Sequence, residues 1–362
     1  MGSFVSWVLA GEWYLPIAGI WGAFCLEEPS KSLESTLSSA DVVGVGNAIV
    51  DVIGKVPDSF IEEHDLNLGT MSLIDEPRAE VLTSLMPDSM KESGGSAANT
   101  MVGVASFGTS AAYIGKIRND ELGEVFIRDI RAAGVGFDVA PAESGPATAR
   151  CLIQVTPDGQ RTMNTFLGAS SVLTTADIDE QLITAAKVLY CEGYLWDLEE
   201  AKQAIRLGMD MARENDVLTS FTLSDPFAVD RHREEWLGLI ADRVGLLFGN
   251  TDEVSSLLGT QDHSEMIAGV RELADTTFMT NGKQGSYVIT ADEVLEIPVV
   301  EVKKRVDTTG AGDLYAAGVL AGIATGRSLS EAGQMGSCAA AEVISHMGAR
   351  PLQPLNTYCA TA

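Results

Sequence analysis

The sequence predicts an α/β fold in which helices cover a mostly parallel sheet. One observation is the alternation of helical and extended patterns in the segments Ala176 to Ala186, Val188 to Glu192, Glu199 to Glu214, Val217 to Thr222 and Arg231 to Ala241. Strands separated by helices of this length form right-handed βαβ units with parallel strands. Another is the uncharged run Leu314 to Thr325, LYAAGVLAGIAT, which predicts a buried helix packed closely through Gly318 and Gly322.

Composition limits the class of protein and its partners. The chain has 362 residues, 46% hydrophobic and 21% charged, which are globular values and allow a large core. Its net charge of −27 repels phosphate polymers, so we expect no nucleic-acid partner and no membrane partner. The five cysteines are widely spaced without a C-x-x-C, so neither a disulfide framework nor a zinc site is expected. A reducing, cytoplasmic location is predicted.

Residues 1–40 differ from the rest of the chain. Phe4 to Cys25 holds three of the five tryptophans, and no Lys or Arg precedes Lys31. A signal peptide needs a basic n-region, and Glu12 and Pro16 disfavour a membrane span. We interpret residues 1–40 as an N-terminal extension outside the main fold, with a membrane or targeting role as the alternative.

The next segment, DVVGVGNAIVDVIGKV from Asp41, predicts a buried strand, a Gly-x-Gly-Asn break and a second strand. It lacks the dinucleotide fingerprint, because Ile49 occupies the third glycine position and the chain stays strand-like. Asn47 is either a turn residue or a polar ligand at the strand end. Asp51 lies among Val and Ile, so its carboxylate needs partners.

Further elements follow in order. We predict a strand at Gly69 to Leu73, helices at Pro77 to Met86, Ala97 to Phe107 and Asp120 to Ala133, and a strand at Tyr113 to Lys116. Asp158-Gly159 between two alternating runs, TARCLIQVTP and QRTMNTFLG, predicts a hairpin. Later elements are a strand at Leu246 to Phe248, extended chain over Val294 to Val306, a helix at Leu329 to His346 and a frayed end.

The stretch Asp307 to Asp313, DTTGAGD, is predicted to lie between a strand end and the buried helix. Free N–H groups and the helix dipole make such a junction an anion site, and Gly310 and Gly312 let the backbone approach the anion. A carboxylate there repels an anion unless it is a base that deprotonates a hydroxyl attacking a phosphate. The alternative is that Asp313 caps the helix after a tight turn.

Together, DTTGAGD with its small-residue helix and the upstream GGSAAN at Gly94 to Asn99 resemble the two signatures of the ribokinase-like (PfkB) family of sugar and nucleoside kinases. The resemblance covers about Asp41 to Pro351. It implies a ribokinase-like three-layer α/β/α sandwich with a mostly parallel central sheet. It also implies a small β-sheet lid from about 53–75 and 137–168, and leaves 352–362 as a C-terminal tail.

The resemblance also implies roles for individual residues. Asp313 would be the catalytic base, and Gly310, Ala311 and Gly312 would form the anion hole. The residues expected to bind the acceptor are Asn47, Asp51, Gly94, Gly95, Asn99 and Phe166. Phe166 would stack on a base or sugar face, with a packing role inside the lid as the alternative.

For ATP, the resemblance implies contacts with Thr308 and with Thr280, Gly282 and Gly285, which form a T-x-G-x-x-G turn. The alternative is that this turn is only a hairpin. The spacing Asn250…Glu253 matches an N-x-x-E element, so Asn250 would contact ATP and Glu253 would help to place Mg²⁺ through water. The alternative is a capping box. No Gly-Lys pair precedes Ser or Thr, so a Walker A site is absent from the sequence.

We therefore expect a kinase that transfers the γ-phosphate of Mg-ATP to a primary hydroxyl. The stretches GNAIVD, GGSAANT, MSLID and MNTFLG are similar to the adenosine-kinase-like branch of the family. Adenosine is thus the first expected acceptor, and a free sugar such as ribose, fructose or 2-keto-3-deoxygluconate the second. A non-catalytic nucleoside-binding regulator is an alternative of another class. Monomer and homodimer both stay open.

Overall fold

The computed structural model describes residues 39–360, so the prediction for the N-terminal extension lies almost wholly outside the described residues. The strands in chain order are β1 (Val42–Val45), β2 (Ile49–Lys55), β3 (Met71–Leu73), β4 (Met90–Gly94), β5 (Ala111–Ile114), β6 (Val135–Gly136), β7 (Ala149–Val155), β8 (Arg161–Phe166), β9 (Val188–Glu192), β10 (Leu218–Thr222), β11 (Leu246–Asn250), β12 (Thr276–Thr280), β13 (Ser286–Thr290) and β14 (Val294–Ile297).

Helices cover both sheets. In chain order they are α1 (Asp58–Glu63), α2 (Glu76–Ser84), α3 (Ser96–Ser106), α4 (Glu121–Ala132), α5 (Glu180–Thr184), α6 (Glu199–Glu214), α7 (Pro226–Arg243), α8 (Thr251–Leu258), α9 (His263–Leu273), α10 (Ala311–Ala324), α11 (Leu329–Val343) and α12 (Leu355–Tyr358). Within residues 39–360, no helix is both long and apolar enough to cross a lipid bilayer.

The main sheet has nine strands in the order β14-β13-β12-β11-β10-β9-β1-β5-β6. Neighbouring strands from β12 to β6 are parallel, whereas β13 pairs antiparallel with both β12 and β14 and so runs opposite to the other strands. Central strands such as β9 are buried on both faces, as expected where helices cover each side of a parallel sheet. The predicted α/β fold with a mostly parallel sheet is confirmed.

A second sheet of five strands has the order β3-β8-β7-β2-β4, and we call it the lid. The predicted hairpin is present: β7 and β8 pair antiparallel, and Gly159 in their turn has a φ of 86°. Strand β4 was not predicted, because its sequence MKESG has little β propensity. It forms by pairing with β2, which sets Glu92 opposite Asp51.

The small-residue run is a buried helix, as predicted. Every residue of α10 from Leu314 to Gly322 is buried. A Cβ on Gly318 would lie 2.5 Å from the backbone N of Gly336, and one on Gly322 would lie 2.9 Å from Cα of Ala332. Glycine at both positions therefore lets α10 and α11 pack backbone against backbone.

Two predicted elements are shorter in the structure. Strand β14 ends at Ile297, and 298–310 has no regular structure, because Pro298 lacks an N–H and 303–306 are exposed. The DTTGAGD stretch thus follows a loop, not a strand. The helix expected over 176–186 is shortened to α5 (Glu180–Thr184). Thr174 and Asp177 form the capping box of a separate 3₁₀ turn, and Asp179 caps the N-terminus of α5.

The C-terminal segment corrects two expectations. Cys338 on α11 and Cys359 after α12 form a disulfide with Cα atoms 5.8 Å apart, although no disulfide was expected. Wide sequence spacing does not prevent pairing when the chain folds back, as it does here. Leu355 is fully buried, and α12 packs on α3 and α11, so the described part of the tail is not frayed.

Candidate active site

A cleft of about 820 Å³ lies between the lid and the edge of the main sheet where the parallel strands end. Ligands commonly bind at this edge in open α/β sheets. The cleft is lined by six of the predicted site residues, namely Asn47, Asp51, Gly95, Asn99, Gly310 and Asp313. The structure thus brings together positions that lie up to 266 residues apart in the sequence, 313 − 47 = 266.

Asp313 lies in the first turn of α10, where two side chains from α3 donate to its carboxylate. Ser96 Oγ donates to Oδ1 over 2.7 Å, and Asn99 Nδ2 donates to Oδ2 over 3.4 Å. Burial raises the pKa of Asp313 to about 6, although both hydrogen bonds favour the ionised form. A carboxylate in this range is ionised near neutral pH and basic enough to accept a proton.

The backbone before Asp313 is arranged to bind an anion. Gly310 has a φ of 77°, and a Cβ on it would lie 2.7 Å from Cα of Ala349, so only glycine fits. The N–H groups of Gly312 and Asp313 have no hydrogen-bond acceptor among the described residues, and Gly312 faces open space. Free N–H groups at a helix N-terminus attract negative charge.

Asn47 and Glu192 form a buried polar pair at the ends of β1 and β9. Glu192 Oε1 accepts from Asn47 N and Nδ2 over 2.6 and 2.8 Å, and its Oε2 accepts from Ala97 N over 2.8 Å. Burial raises the pKa of Glu192 to about 7, although the hydrogen bonds from Asn47 and Ala97 act to lower it. Sequence reasoning missed Glu192, although a carboxylate ending the apolar strand VLYCE was a usable signal.

The Gly94-Gly95 pair is required by its neighbours. A Cβ on Gly94 would lie 2.5 Å from Asp51 Oδ2, and one on Gly95 would lie 2.3 Å from the carbonyl O of Asn47. Burial and the nearby Glu92 raise the pKa of Asp51 to about 7. The lid side of the cleft therefore holds a carboxyl group with a raised pKa.

Phe166 is not brought to the cleft. Met163, Thr165 and Leu167 line it, whereas Phe166 packs against the main hydrophobic core and lies 5.7 Å from the guanidinium carbon of Arg150. Successive side chains of a strand point to opposite faces, so a shift of one residue changes the face. The alternative role for Phe166, packing inside the protein, is the one that this position supports.

Beyond Asp313 lies a smaller cavity of about 80 Å³, whose lining includes Asn250, Glu253, Thr280 and Gly312. Asn250 and Glu253 form a capping box, with Glu253 N donating to Asn250 Oδ1 and Asn250 N to Glu253 Oε2, both over 2.9 Å. Burial raises the pKa of Glu253 to about 7, opposed by the Asn250 backbone N–H. The capping alternative is present, and the metal role of Glu253 stays a prediction.

The remaining predicted ATP residues lie outside this small cavity. Gly282 and Gly285 follow β12 and have φ values of 53° and 96°. A Cβ on Gly285 would lie 2.2 Å from the carbonyl O of Ile297, so the turn needs glycine there. Thr308 is exposed in the loop before α10.

Arg161 on β8 connects the lid to the DTTGAGD stretch, and it was not predicted. Its Nη1 donates to Asp307 Oδ2 over 2.8 Å and to Thr309 Oγ1 over 3.3 Å. Burial acts to raise the pKa of Asp307, but hydrogen bonds from Thr309 and Gly348 and the charge of Arg161 outweigh it, so this pKa lies below its usual value. An ionised Asp307 thus holds a lid cation beside the anion site.

Comparison with known proteins identifies the class of this enzyme. Residues 40–356 match the model of the pfkB family carbohydrate kinases. The chain belongs to this family, and it is a phosphotransferase with an alcohol group as acceptor and ATP as donor.

Relatives within the family differ in their described activities. The chain is 44% identical to a structure described as adenosine kinase from Sinorhizobium meliloti, with a TM-score of 0.83, covering 89% of this chain and 99% of that one. It is 41% identical to a probable sugar kinase from Rhizobium etli, also at 0.83, covering 89% and 98%. A 5-dehydro-2-deoxygluconokinase from Listeria monocytogenes is 28% identical over 72% of this chain and 83% of its own.

Proposed function

We propose that this kinase transfers the γ-phosphate of ATP to the primary hydroxyl of adenosine. The observation that carries the proposal is the position of Asp313 between two cavities. Asp313 lines both the large cleft under the lid and the small cavity beside Asn250 and Thr280. One group can therefore face an acceptor hydroxyl on one side and a transferred phosphate on the other.

In the proposed reaction Asp313 accepts the proton of the attacking hydroxyl. The free N–H groups of Gly312 and Asp313 stabilise the charge that develops on the phosphoryl oxygens, and Arg161 adds a positive charge when it turns from Asp307 to the phosphate. Asp51 accepts hydrogen bonds from acceptor hydroxyls, while Asn99 orients the base. These groups stand on four elements: α10 carries Gly312 and Asp313, β8 carries Arg161, β2 carries Asp51 and α3 carries Asn99.

Mg²⁺ fits the donor set of the small cavity. Its lining includes Asn250 and Glu253, whose side-chain oxygens are the kind of donor that this ion prefers. Both oxygens of Glu253 already accept from Asn250, Oε1 from the side-chain amide over 2.7 Å and Oε2 from the backbone. Glu253 therefore suits a contact through water, since Mg²⁺ retains several waters. When bound, the ion neutralises charge on the phosphates.

Adenosine is favoured over a free sugar by the apolar part of the cleft. The side chains of Met71, Leu73 and Phe227 line the cleft and are 44%, 53% and 78% exposed. The lid residues Ile153 and Met163 also line the cleft. A flat purine base would cover this surface, whereas a hexose would leave it in water. A free sugar is the second candidate, because the relatives include a probable sugar kinase and the cleft carries the polar groups Asp51 and Asn99.

The test is ADP formation with ATP and Mg²⁺, comparing adenosine with ribose, fructose and 2-keto-3-deoxygluconate at equal concentrations. The D313N variant, purified in parallel, corrects for contaminating kinases. Turnover on adenosine at micromolar KM supports the proposal, and turnover on a sugar alone overturns the acceptor. No turnover on any of them would favour a nucleoside-binding regulator. A cytoplasmic location, where ATP is abundant, is part of the proposal.

A further inference from the structure

We propose that Arg350 is a positioning residue for the base, acting through the side-chain amide of Asn99. This inference rests on the proposed role of Asp313. Arg350 Nε donates to Asn99 Oδ1 over 3.1 Å, and Asn99 Nδ2 donates to Asp313 Oδ2 over 3.4 Å. The three side chains form a chain of hydrogen bonds that ends on the carboxylate.

The chemistry of Arg350 and Asp313 determines the orientation of the Asn99 amide between them. A guanidinium can only donate hydrogen bonds, and an ionised carboxylate can only accept them. The oxygen of Asn99 must therefore face Arg350, and its NH₂ must face Asp313. Because Ser96 Oγ donates to the other carboxylate oxygen over 2.7 Å, both oxygens of Asp313 are oriented from α3.

Arg350 lies next to Asn99 because it belongs to a short segment, 344–353, that hydrogen bonds hold at several points. Buried Glu342 accepts from Leu352 N and Gln353 N over 3.1 and 3.2 Å. Gly348 N donates to Asp307 Oδ2 over 3.1 Å. These bonds hold the segment against the DTTGAGD loop, so the position of Arg350 is set independently of Asn99.

Two further observations argue against a purely structural role. Arg350 Nη2 is buried and has no hydrogen-bond partner within residues 39–360, whereas buried polar groups kept for stability are nearly always satisfied. In addition, the charges of Arg350 and Arg161 lower the pKa of Asp51, although burial, Glu92 and Asp313 raise it by more. The guanidinium thus acts on two groups of the site.

The test is a double-mutant cycle between Arg350 and Asn99. R350M keeps an unbranched side chain that reaches about to the position of Nε and removes the guanidinium donors, and we expect kcat to fall about 10- to 100-fold with the KM for ATP unchanged. R350K should recover part of this loss. In an N99A background, R350M should lower kcat by less than about 2-fold further, because the chain of hydrogen bonds from Arg350 to Asp313 is already interrupted. R233M, which removes a remote Nε donor to the carbonyl O of Leu257, is the matched control.

A second variant keeps the inference testable if R350M does not fold. N99D still accepts from Arg350 but replaces the donor to Asp313 with a negative charge. We expect kcat to fall and its acid limb to move to higher pH. The charged groups that face Asp313 are Asp51 on β2, Glu192 on β9 and Glu253 on α8, and all are unchanged in this variant.

The outcomes separate this inference from the proposed function. Full kcat in R350M, fully additive losses in the double variant, or an unmoved acid limb in N99D would each overturn the positioning role while D313N stays inactive. An active D313N would instead overturn the proposed role of the base.

Discussion

The two sides of Asp313 are built in different ways. On the proposed phosphate side, the free N–H groups come from one contiguous stretch, Asp307 to Asp313, at the start of α10. On the proposed acceptor side, the groups come from β2, α3, β8 and β9, which are brought together by two sheets. The first side is a local arrangement of backbone N–H groups, and the second exists only when the lid is folded over the main sheet.

This difference explains which site residues sequence patterns can place. A glycine-rich turn before a helix determines its own geometry, so the position of Asp313 follows from a few neighbours. A lid side chain reaches the cleft only if its strand register and face are right. Phe166 lies on the face of β8 opposite to Met163 and Thr165, which line the cleft, and Arg161 and Glu192 were not predicted because their partners are distant in sequence.

The largest expected effect falls on the phosphate side. D313N should lower kcat about 10²- to 10⁴-fold, because the amide cannot accept the proton of the attacking hydroxyl. Binding of ATP should persist, as measured by calorimetry, since the free N–H groups remain. D292N, in an exposed turn before β14, controls for loss of one negative charge. Near-normal turnover of D313N would refute the assignment of the base.

The pH dependence of kcat should follow the same group. Burial raises the pKa of Asp313 to about 6, so its carboxylate is protonated below that pH and can no longer act as a base. We expect kcat to fall about tenfold per pH unit below pH 6. Stopped-time ADP assays from pH 5 to 8, with a stability check at each pH, measure this. A profile flat down to pH 5 would contradict it.

A pair of lid substitutions tests the acceptor side. M163A removes an apolar side chain that lines the cleft, and we expect the KM for the acceptor to rise about tenfold. This is the size of effect that losing apolar contacts in a binding pocket produces. F166L changes a side chain on the other face and should leave that KM within about twofold while lowering the melting temperature. Equal effects on KM would mean that the two faces of β8 are not distinct in function.

The smallest effect on turnover is expected at the disulfide. Cys338 and Cys359 are 21 residues apart, and closing a loop of this length contributes about 3 kcal/mol to the free energy of unfolding. C359S should lose this contribution under oxidising conditions and match the wild type in reductant. Turnover at low temperature should stay within about twofold, because neither cysteine lines the cleft or the small cavity at Asp313. Equal denaturation midpoints in oxidising buffer would exclude a stabilising disulfide.

The sequence alone determined the α/β class, the parallel order of the later βαβ units and the buried helix α10. It also indicated the junction where Asp313 lies. These features depend on local periodicity and on glycine positions, which act over a few residues. The extra strand β4, the disulfide, the face of Phe166 and the path from Arg350 through Asn99 to Asp313 depend on pairing between distant segments. Only the tertiary structure decided them, because burial, register and hydrogen-bond partners exist only after the two sheets and their helices have packed together.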